Sequence, residues 1–137
     1  MSTRNARQRR RRDAFTLMEL LVVVAILVVL AGVGGYYYIK HLDEAKVSTA
    51  KLQVQELTKA VEAYYVKNNA YPTNLSALTE KEQDGSRPYL EPDALKTPWG
   101  TSYQYDASGP NNGGNKPDIW AEGPGGVKIG NWSQGRG

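Results

Sequence analysis

Phe-Thr-Leu-Met-Glu-Leu-Leu-Val-Val-Val-Ala-Ile-Leu-Val-Val-Leu-Ala-Gly-Val-Gly-Gly, residues 15–35, is the stretch that organises this chain. It carries a single charged residue, Glu19, and is otherwise almost wholly apolar. An α-helix rises about 1.5 Å per residue, so about 20 residues match the roughly 30 Å hydrocarbon core of a bilayer. The sequence predicts a transmembrane helix over residues 15–38 and a soluble domain over residues 39–137.

Glu19 is the unusual residue of this stretch. An ionisable side chain costs about 2.5 to 3.5 kcal/mol at the centre of a bilayer and less near its surface, so such residues are usually functional and paired. We therefore expect Glu19 to meet a cationic partner.

Residues 1–14 form a basic leader with six arginines and one aspartate. By the positive-inside rule, the arginines keep the N-terminus in the cytoplasm and send the C-terminal domain across the membrane. Removal of the leader would change the formal net charge from +3 to −2. The sequence therefore predicts a single-pass membrane protein whose C-terminal domain lies on the side opposite the cytoplasm, without affinity for nucleic acid. The arginines are Arg4, Arg7, Arg9, Arg10, Arg11 and Arg12.

Two cleavage sites fit the N-terminal region. Residues 31–34 contain the small residues that a signal peptidase prefers after an apolar stretch. Asp13-Ala14-Phe15-Thr16-Leu17-Met18-Glu19, by contrast, resembles the processing site of type IV prepilins and type II secretion pseudopilins. That resemblance implies that a prepilin peptidase removes residues 1–14, cutting between Ala14 and Phe15, and methylates the new amine of Phe15. Ala14 departs from the glycine that is usual in the family.

The new amine of Phe15 would be a suitable partner for Glu19 of a neighbouring subunit. A buried ion pair adds little net stability, but removing one partner costs about 3 to 5 kcal/mol. We expect the pair to fix the register of assembly. The alternative is a signal anchor in which the Glu19 side chain reaches the membrane surface.

Three glycines lie near the end of the apolar stretch. Each weakens a helix by up to about 1 kcal/mol relative to alanine, so the helix can bend there. Small residues also let membrane helices approach closely. Both interpretations of Gly32, Gly34 and Gly35 stay open.

Residues 42–68 have an amphipathic helical pattern. Apolar residues recur at spacings of three and four, which places them on one helix face. No proline interrupts residues 15–71, so one helix can include both the apolar and the amphipathic part. A coiled coil is the alternative. The apolar positions are Val47, Ala50, Val54, Leu57, Val61 and Tyr64.

Four motifs in the remainder are similar to those of the major pseudopilins of type II secretion. Tyr71-Pro72-Thr73 follows an asparagine pair that ends the helix, and Pro98-Trp99-Gly100 forms a turn. Tyr103-Gln104-Tyr105 and Gly130-Asn131-Trp132 lie in predicted strands, with a further strand at 118–121. The resemblance implies an α+β, type IV pilin-like fold: a long N-terminal helix packed on a small C-terminal antiparallel sheet at about residues 99–132.

The resemblance implies a structural subunit that polymerises into a pseudopilus driving the export of folded proteins across the outer membrane. Its implied partners are further copies of itself, minor pseudopilins, a prepilin peptidase, an inner-membrane platform with a cytoplasmic ATPase, and lipid before assembly. A subunit of a type IV pilus or of a DNA-uptake system is the alternative within this architecture. A signal-anchored module that binds glycans through Trp99, Trp120 and Trp132 is the alternative of another class.

Composition argues against several kinds of chemistry. Without cysteine, neither a disulfide framework nor a thiolate metal site can form. The single histidine, His41, lies near tyrosines and Lys40, as is typical of a membrane surface. We therefore expect no catalytic residues and no enzyme.

Major pseudopilins bind calcium in the loop between their last two strands. Calcium takes six to eight oxygen ligands, usually including several carboxylates. Here Gly125 and Lys128 fall near the family's aspartate positions, and Glu122 is the carboxylate that remains. We expect no metal and no cofactor, with the Lys128 ammonium in the place of the ion or in solvent.

Overall fold

The computed structural model describes residues 14–133, and the chain divides between Ile39 and Lys40 into two compact units. We call residues 17–39 the apolar segment and residues 40–133 the C-terminal unit. One helix, α1 (Leu17–Asn68), begins in the former and ends in the latter. The 52 residues of α1 confirm the prediction of a single uninterrupted helix.

Within the C-terminal unit, α1 buries one stripe of side chains. The stripe follows spacings of four, three and four residues, which keeps its members on one helix face. Its residues are at most 2% exposed, which confirms the amphipathic pattern: Ala50, Val54, Leu57 and Val61.

The end of α1 follows from its asparagines. The last residue, Asn68, donates its Nδ2 hydrogen to the Tyr64 carbonyl at 3.1 Å. Asn69 has a φ of 53°, a left-handed conformation that asparagine tolerates better than most residues and that commonly follows a helix. The predicted helix end is therefore confirmed.

Three short strands form an antiparallel sheet in the order β1-β2-β3. They span Gln104–Asp106, Asp118–Glu122 and Lys128–Gly130. Tyr105 lies opposite Ile119, and Ala121 lies opposite Ile129. Since side chains alternate between the faces of a strand, these four share the face that packs on α1.

The core lies between the buried stripe of α1 and this sheet face, with Leu75 and Leu78 of a 3₁₀-helix (Leu75–Leu78) closing one side. Two tyrosines connect the layers. The Tyr103 hydroxyl donates to Gln53 Oε1 at 2.5 Å, and the Tyr105 hydroxyl donates to the Pro72 carbonyl at 2.7 Å. Burial raises the pKa of both tyrosines to about 12.

Candidate functional site

Glu19 lies in the first turn of α1, and Thr16 caps that turn. The Glu19 N–H donates to Thr16 Oγ1 at 3.2 Å, and the Leu20 N–H donates to the Thr16 carbonyl at 3.2 Å. Thr-x-x-Glu is the pattern of a capping box, so the sequence itself carries the signal for this helix start. The Glu19 carboxylate itself makes no hydrogen bond or ion pair with any described residue, so it is available to a group from outside.

The apolar segment buries none of its large side chains. From Leu17 to Ile39, every large apolar residue is at least 50% exposed, and Leu17 and the preceding Phe15 reach 86%. The segment is the one stretch of the described chain long and apolar enough to cross a membrane. An apolar surface this large is stable only in lipid or against other apolar helices.

The three glycines of the apolar segment lie inside α1. A side chain at Gly32, Gly34 or Gly35 would have no atom within 4 Å. Their surfaces are therefore open to another helix, and neither the flexibility nor the close-approach interpretation is favoured by this geometry alone.

In the C-terminal unit, a buried carboxylate organises the loop between β1 and β2. Asp118 is fully buried, and its Oδ2 accepts from the backbone N–H and the Nδ2 of Asn111 at 2.9 and 2.8 Å. Its Oδ1 accepts from Asn112 Nδ2 at 2.7 Å. Asn131, which follows β3, donates through Nδ2 to the Pro117 carbonyl at 2.9 Å. These bonds join the loop, β2 and the chain after β3.

The loop between β2 and β3 is short and closes on itself. The Gly123 N–H donates to the Val127 carbonyl at 2.8 Å, and the Gly126 N–H donates to the Gly123 carbonyl at 3.2 Å. At its ends, Glu122 lies opposite Lys128 in the ladder, and the Lys128 Nζ lies 5.5 Å from the centre of the Trp120 ring.

Residues 37–135 match the model of a protein family described as type II secretion system (T2SS), protein G. The chain belongs to this protein G family. Residues 9–35 also match the model of the prokaryotic N-terminal methylation motif, which covers Ala14, Phe15, Glu19 and the three glycines.

Relatives of the protein G family align over nearly the whole chain. The type II secretion system core protein G of Pseudomonas aeruginosa is 34% identical over 140 residues, covering 91% of this chain and 98% of that protein. The one of Dickeya chrysanthemi is 31% identical over 142 residues, covering 93% and 91%. The crystal structure of the major pseudopilin from the type 2 secretion system of enterohaemorrhagic Escherichia coli matches with a TM-score of 0.53 and 30% identity, over 69% of this chain and 88% of that one. These matches confirm the predicted family and its pilin-like α+β fold.

The β2–β3 loop is poor in the ligands that calcium needs. Calcium needs several oxygen ligands, commonly carboxylates. Residues 122–128 supply one carboxylate, Glu122, which lies opposite the Lys128 cation in the ladder. Across residues 14–133, no three acidic or histidine side chains are grouped so as to hold a metal ion. The residues of this loop do not fit the ion.

The three tryptophans of the glycan-binding alternative make packing contacts within the C-terminal unit. Trp99 packs against the core. Trp120 and Trp132 contact each other edge to face with their ring centres 6.0 Å apart. Trp132 also covers Gly130, where a Cβ atom would lie 2.4 Å from its ring. Their observed contacts are those of packing.

A cluster at the end of α1 was not predicted from the sequence. Lys67 Nζ forms ion pairs with Glu82 and, at 2.7 Å, with Asp84 Oδ2, and donates to Ser86 Oγ at 2.9 Å. Hydrogen bonds from Lys67 lower the pKa of both carboxyl groups, and the same bonds raise the pKa of Lys67. The polar loop at residues 80–87 is therefore fixed to the helix.

Proposed function

We propose that this chain is the structural subunit that polymerises into the pseudopilus of a type II secretion system and so drives the export of folded proteins. Membership of the protein G family supports this role. The observation that carries it is the apolar segment, which buries none of its large side chains and contains one carboxylate, Glu19, that has no partner among the described residues. The role is structural, and the proposal needs no catalytic site.

Assembly would exchange lipid around the apolar segment for the same segment of other copies. Lipid tails and leucine or valine side chains are similarly apolar, so the exchange changes the hydrophobic free energy little. What selects the filament arrangement is then the pairing of Glu19 with the Phe15 amine of a neighbour. That pairing removes two isolated charges from an apolar environment.

The test is complementation in a strain that lacks this chain. We expect export of folded substrates and pelletable filaments to be lost in the deletion strain and restored by the full chain. Normal export without the chain, together with loss of surface fibres or of DNA uptake, would contradict the proposal and support the alternative pilin role.

We infer that a prepilin peptidase removes residues 1–14, cuts between Ala14 and Phe15 and methylates the Phe15 amine. The methylation-motif match supports this, although residues 1–13 lie outside those that the structure describes. Mass spectrometry of the mature protein should find methylated Phe15 as the first residue. The A14G variant restores the usual family residue and should be processed faster. A terminus near residue 35 would contradict the inference.

The inferred topology places the N-terminus in the cytoplasm and the C-terminal unit in the periplasm. The six leader arginines support it, and they too lie outside the described residues. Because the chain has no cysteine, single cysteines report on it cleanly. In cells that lack the prepilin peptidase, so that residues 1–14 are retained, and whose outer membrane is permeabilised, a membrane-impermeant thiol reagent should label S108C but not S2C. The reverse pattern would contradict the topology.

Beyond further copies of itself and the peptidase, we propose minor pseudopilins and an inner-membrane platform with a cytoplasmic ATPase as partners. Family membership supports these partners. Cysteine crosslinking from the C-terminal unit in cells, followed by mass spectrometry, should recover them. Crosslinks confined to copies of this chain would contradict that part of the proposal.

Two kinds of substitution at the glycines distinguish helix flexibility from close approach of a neighbouring helix. Alanine at Gly32, Gly34 and Gly35 stiffens the helix but keeps the surface small, whereas leucine also blocks a neighbouring helix. Filament loss with alanine would support flexibility. Filament loss with leucine alone would support close approach.

We propose that the β2–β3 loop needs no calcium because the Lys128 cation and the closed backbone turn replace the ion. The poor fit of the loop to calcium and the position of Lys128 over Trp120 support this. Calorimetric titration with calcium should show no binding. K128M should lower the unfolding temperature, and the surface variant K81M should not. Tight calcium binding by the unaltered chain would contradict the proposal.

A further inference from the structure

A groove of about 620 Å³ lies in the C-terminal unit between α1 and the residues that follow β3. Val54 and Ile129 contribute apolar surface to it, and Trp132 forms part of one wall. Its charged lining is mostly basic, with three lysines against the single carboxylate of Glu62. We call it the lysine groove, after Lys51, Lys59 and Lys116.

The lysines of this groove have no anionic partner in their own chain. Lys51 and Lys59 are exposed, and no described residue forms an ion pair or a hydrogen bond with any of the three ammonium groups. Lys51 and Lys59 are eight residues apart on one helix, which separates them by about 12 Å along its axis. Lys116, from the loop before β2, adds a third charge. A narrow anionic segment could therefore contact several lysines at once.

An acidic segment elsewhere in the unit carries negative charges that likewise lack partners among the described residues. Glu91, Pro92 and Asp93 are all exposed where a 3₁₀-helix (Pro92–Leu95) begins, and we call them the acidic tip. Neither carboxylate has a side-chain partner among residues 14–133. Pro92 fixes the backbone between them, so little conformational entropy is lost when the tip is bound.

Several other carboxylates of the unit are already engaged. Glu82 and Asp84 bind Lys67, and the Asp106 Oδ1 accepts from the Ser108 hydroxyl at 2.6 Å. Asp118 is buried and bonded to asparagines. The acidic tip thus presents two neighbouring carboxylates that are still available.

We propose that the lysine groove of one copy receives the acidic tip of a neighbouring copy in the filament. The contact rests on the proposed function in that it requires copies to assemble. The partner is a second copy of this chain because the groove and the tip carry opposite charges that remain unpaired within one copy. Exposed ion pairs are individually weak, but each copy in a filament would contribute both a groove and a tip.

Charge reversal in the full chain tests the contact. K51E with K59E should lower the yield of pelletable filaments about tenfold, since attraction becomes repulsion on one side. E91K with D93K should do the same. All four changes together should restore the yield, because the charges are opposite again. The control pair K81E and E80K changes exposed charges outside both surfaces and should leave the yield unchanged.

Crosslinking gives a second measurement that does not depend on filament yield. In cells that express K59C and D93C as separate chains, a short homobifunctional maleimide should crosslink the two into a heterodimer, since the positions of a Lys–Asp contact lie too far apart for a direct disulfide. K81C with D93C should not. The proposal is overturned if the quadruple variant assembles no better than the two double variants, or if K59C and D93C fail to crosslink in filaments. Loss of all filaments in the unaltered chain would instead contradict the proposed function.

Discussion

The apolar segment and the C-terminal unit share the helix α1 but differ in whether the chain itself buries their apolar side chains. In the C-terminal unit, one stripe of α1 is buried by the chain's own sheet, with Val54 and Leu57 each 1% exposed. In the apolar segment, residues on all sides of the helix are apolar and none is buried. A helix with one apolar stripe needs one partner surface, whereas one that is apolar all round needs to be surrounded. The difference shows that the C-terminal unit buries its apolar stripe within the chain, whereas the apolar segment leaves its apolar surface open to whatever surrounds it.

The comparison predicts that the same substitution has very different effects in the two halves. L57A should lower the free energy of unfolding of the C-terminal unit by about 2 to 5 kcal/mol, because it leaves a cavity in a packed core. L27A, at a side chain that is 58% exposed, should leave it unchanged. Denaturant unfolding of the full chain in detergent, followed by tryptophan fluorescence, measures both. Equal effects would mean that the two halves are not energetically distinct.

The buried carboxylate of Asp118 is expected to stabilise the C-terminal unit. D118N keeps the size of the side chain but turns an amide NH₂ toward donors from Asn111 and Asn112, so we expect a loss of about 1 to 3 kcal/mol in the free energy of unfolding. The same fluorescence experiment tests it, with the exposed E80Q as the control. A loss no larger than that of E80Q would show that the asparagine network is not structural.

The smallest expected effect is a pH dependence at the end of α1. The pKa values of Glu82 and Asp84 are lowered from ordinary values of 4.5 and 3.8, so their contribution to stability is present above pH 4.5 and is lost as the pH falls through the lowered values. The pKa of Lys67 is raised from 10.5, so its contribution is present below pH 10.5 and is lost only at higher pH. The difference in unfolding temperature between the unaltered chain and K67M should therefore be constant from pH 5 to pH 10 and should shrink below pH 4. K81M should show no such dependence.

Much of the fold follows from local patterns. The length of α1, its buried stripe, its end at Asn68 and the shared face of Tyr103 and Tyr105 all depend on periodicity and on turn residues. Each of these signals lies in residues that are close together in the sequence. The sequence could therefore predict them without knowledge of the tertiary structure.

The side-chain networks could not be predicted in the same way. Asp118 is bonded to residues six and seven positions earlier, and Lys67 reaches Asp84 across 17 positions. Such contacts depend on where loops pass over the folded unit. The spacing of apolar residues along the sequence carries no information about these loop positions. The Thr16 cap is different, because the Thr-x-x-Glu pattern was present in the sequence.

The most direct test of the central claim is filament assembly by E19A. The claim is that the exposed apolar segment joins copies through Glu19, which the C-terminal unit does not need for its own fold. E19A should insert into the membrane normally, keep the unfolding temperature of the C-terminal unit and lose pelletable filaments by at least about a hundredfold. E56A, an exposed carboxylate of α1 within the C-terminal unit, should assemble normally. Normal filaments from E19A would contradict the account.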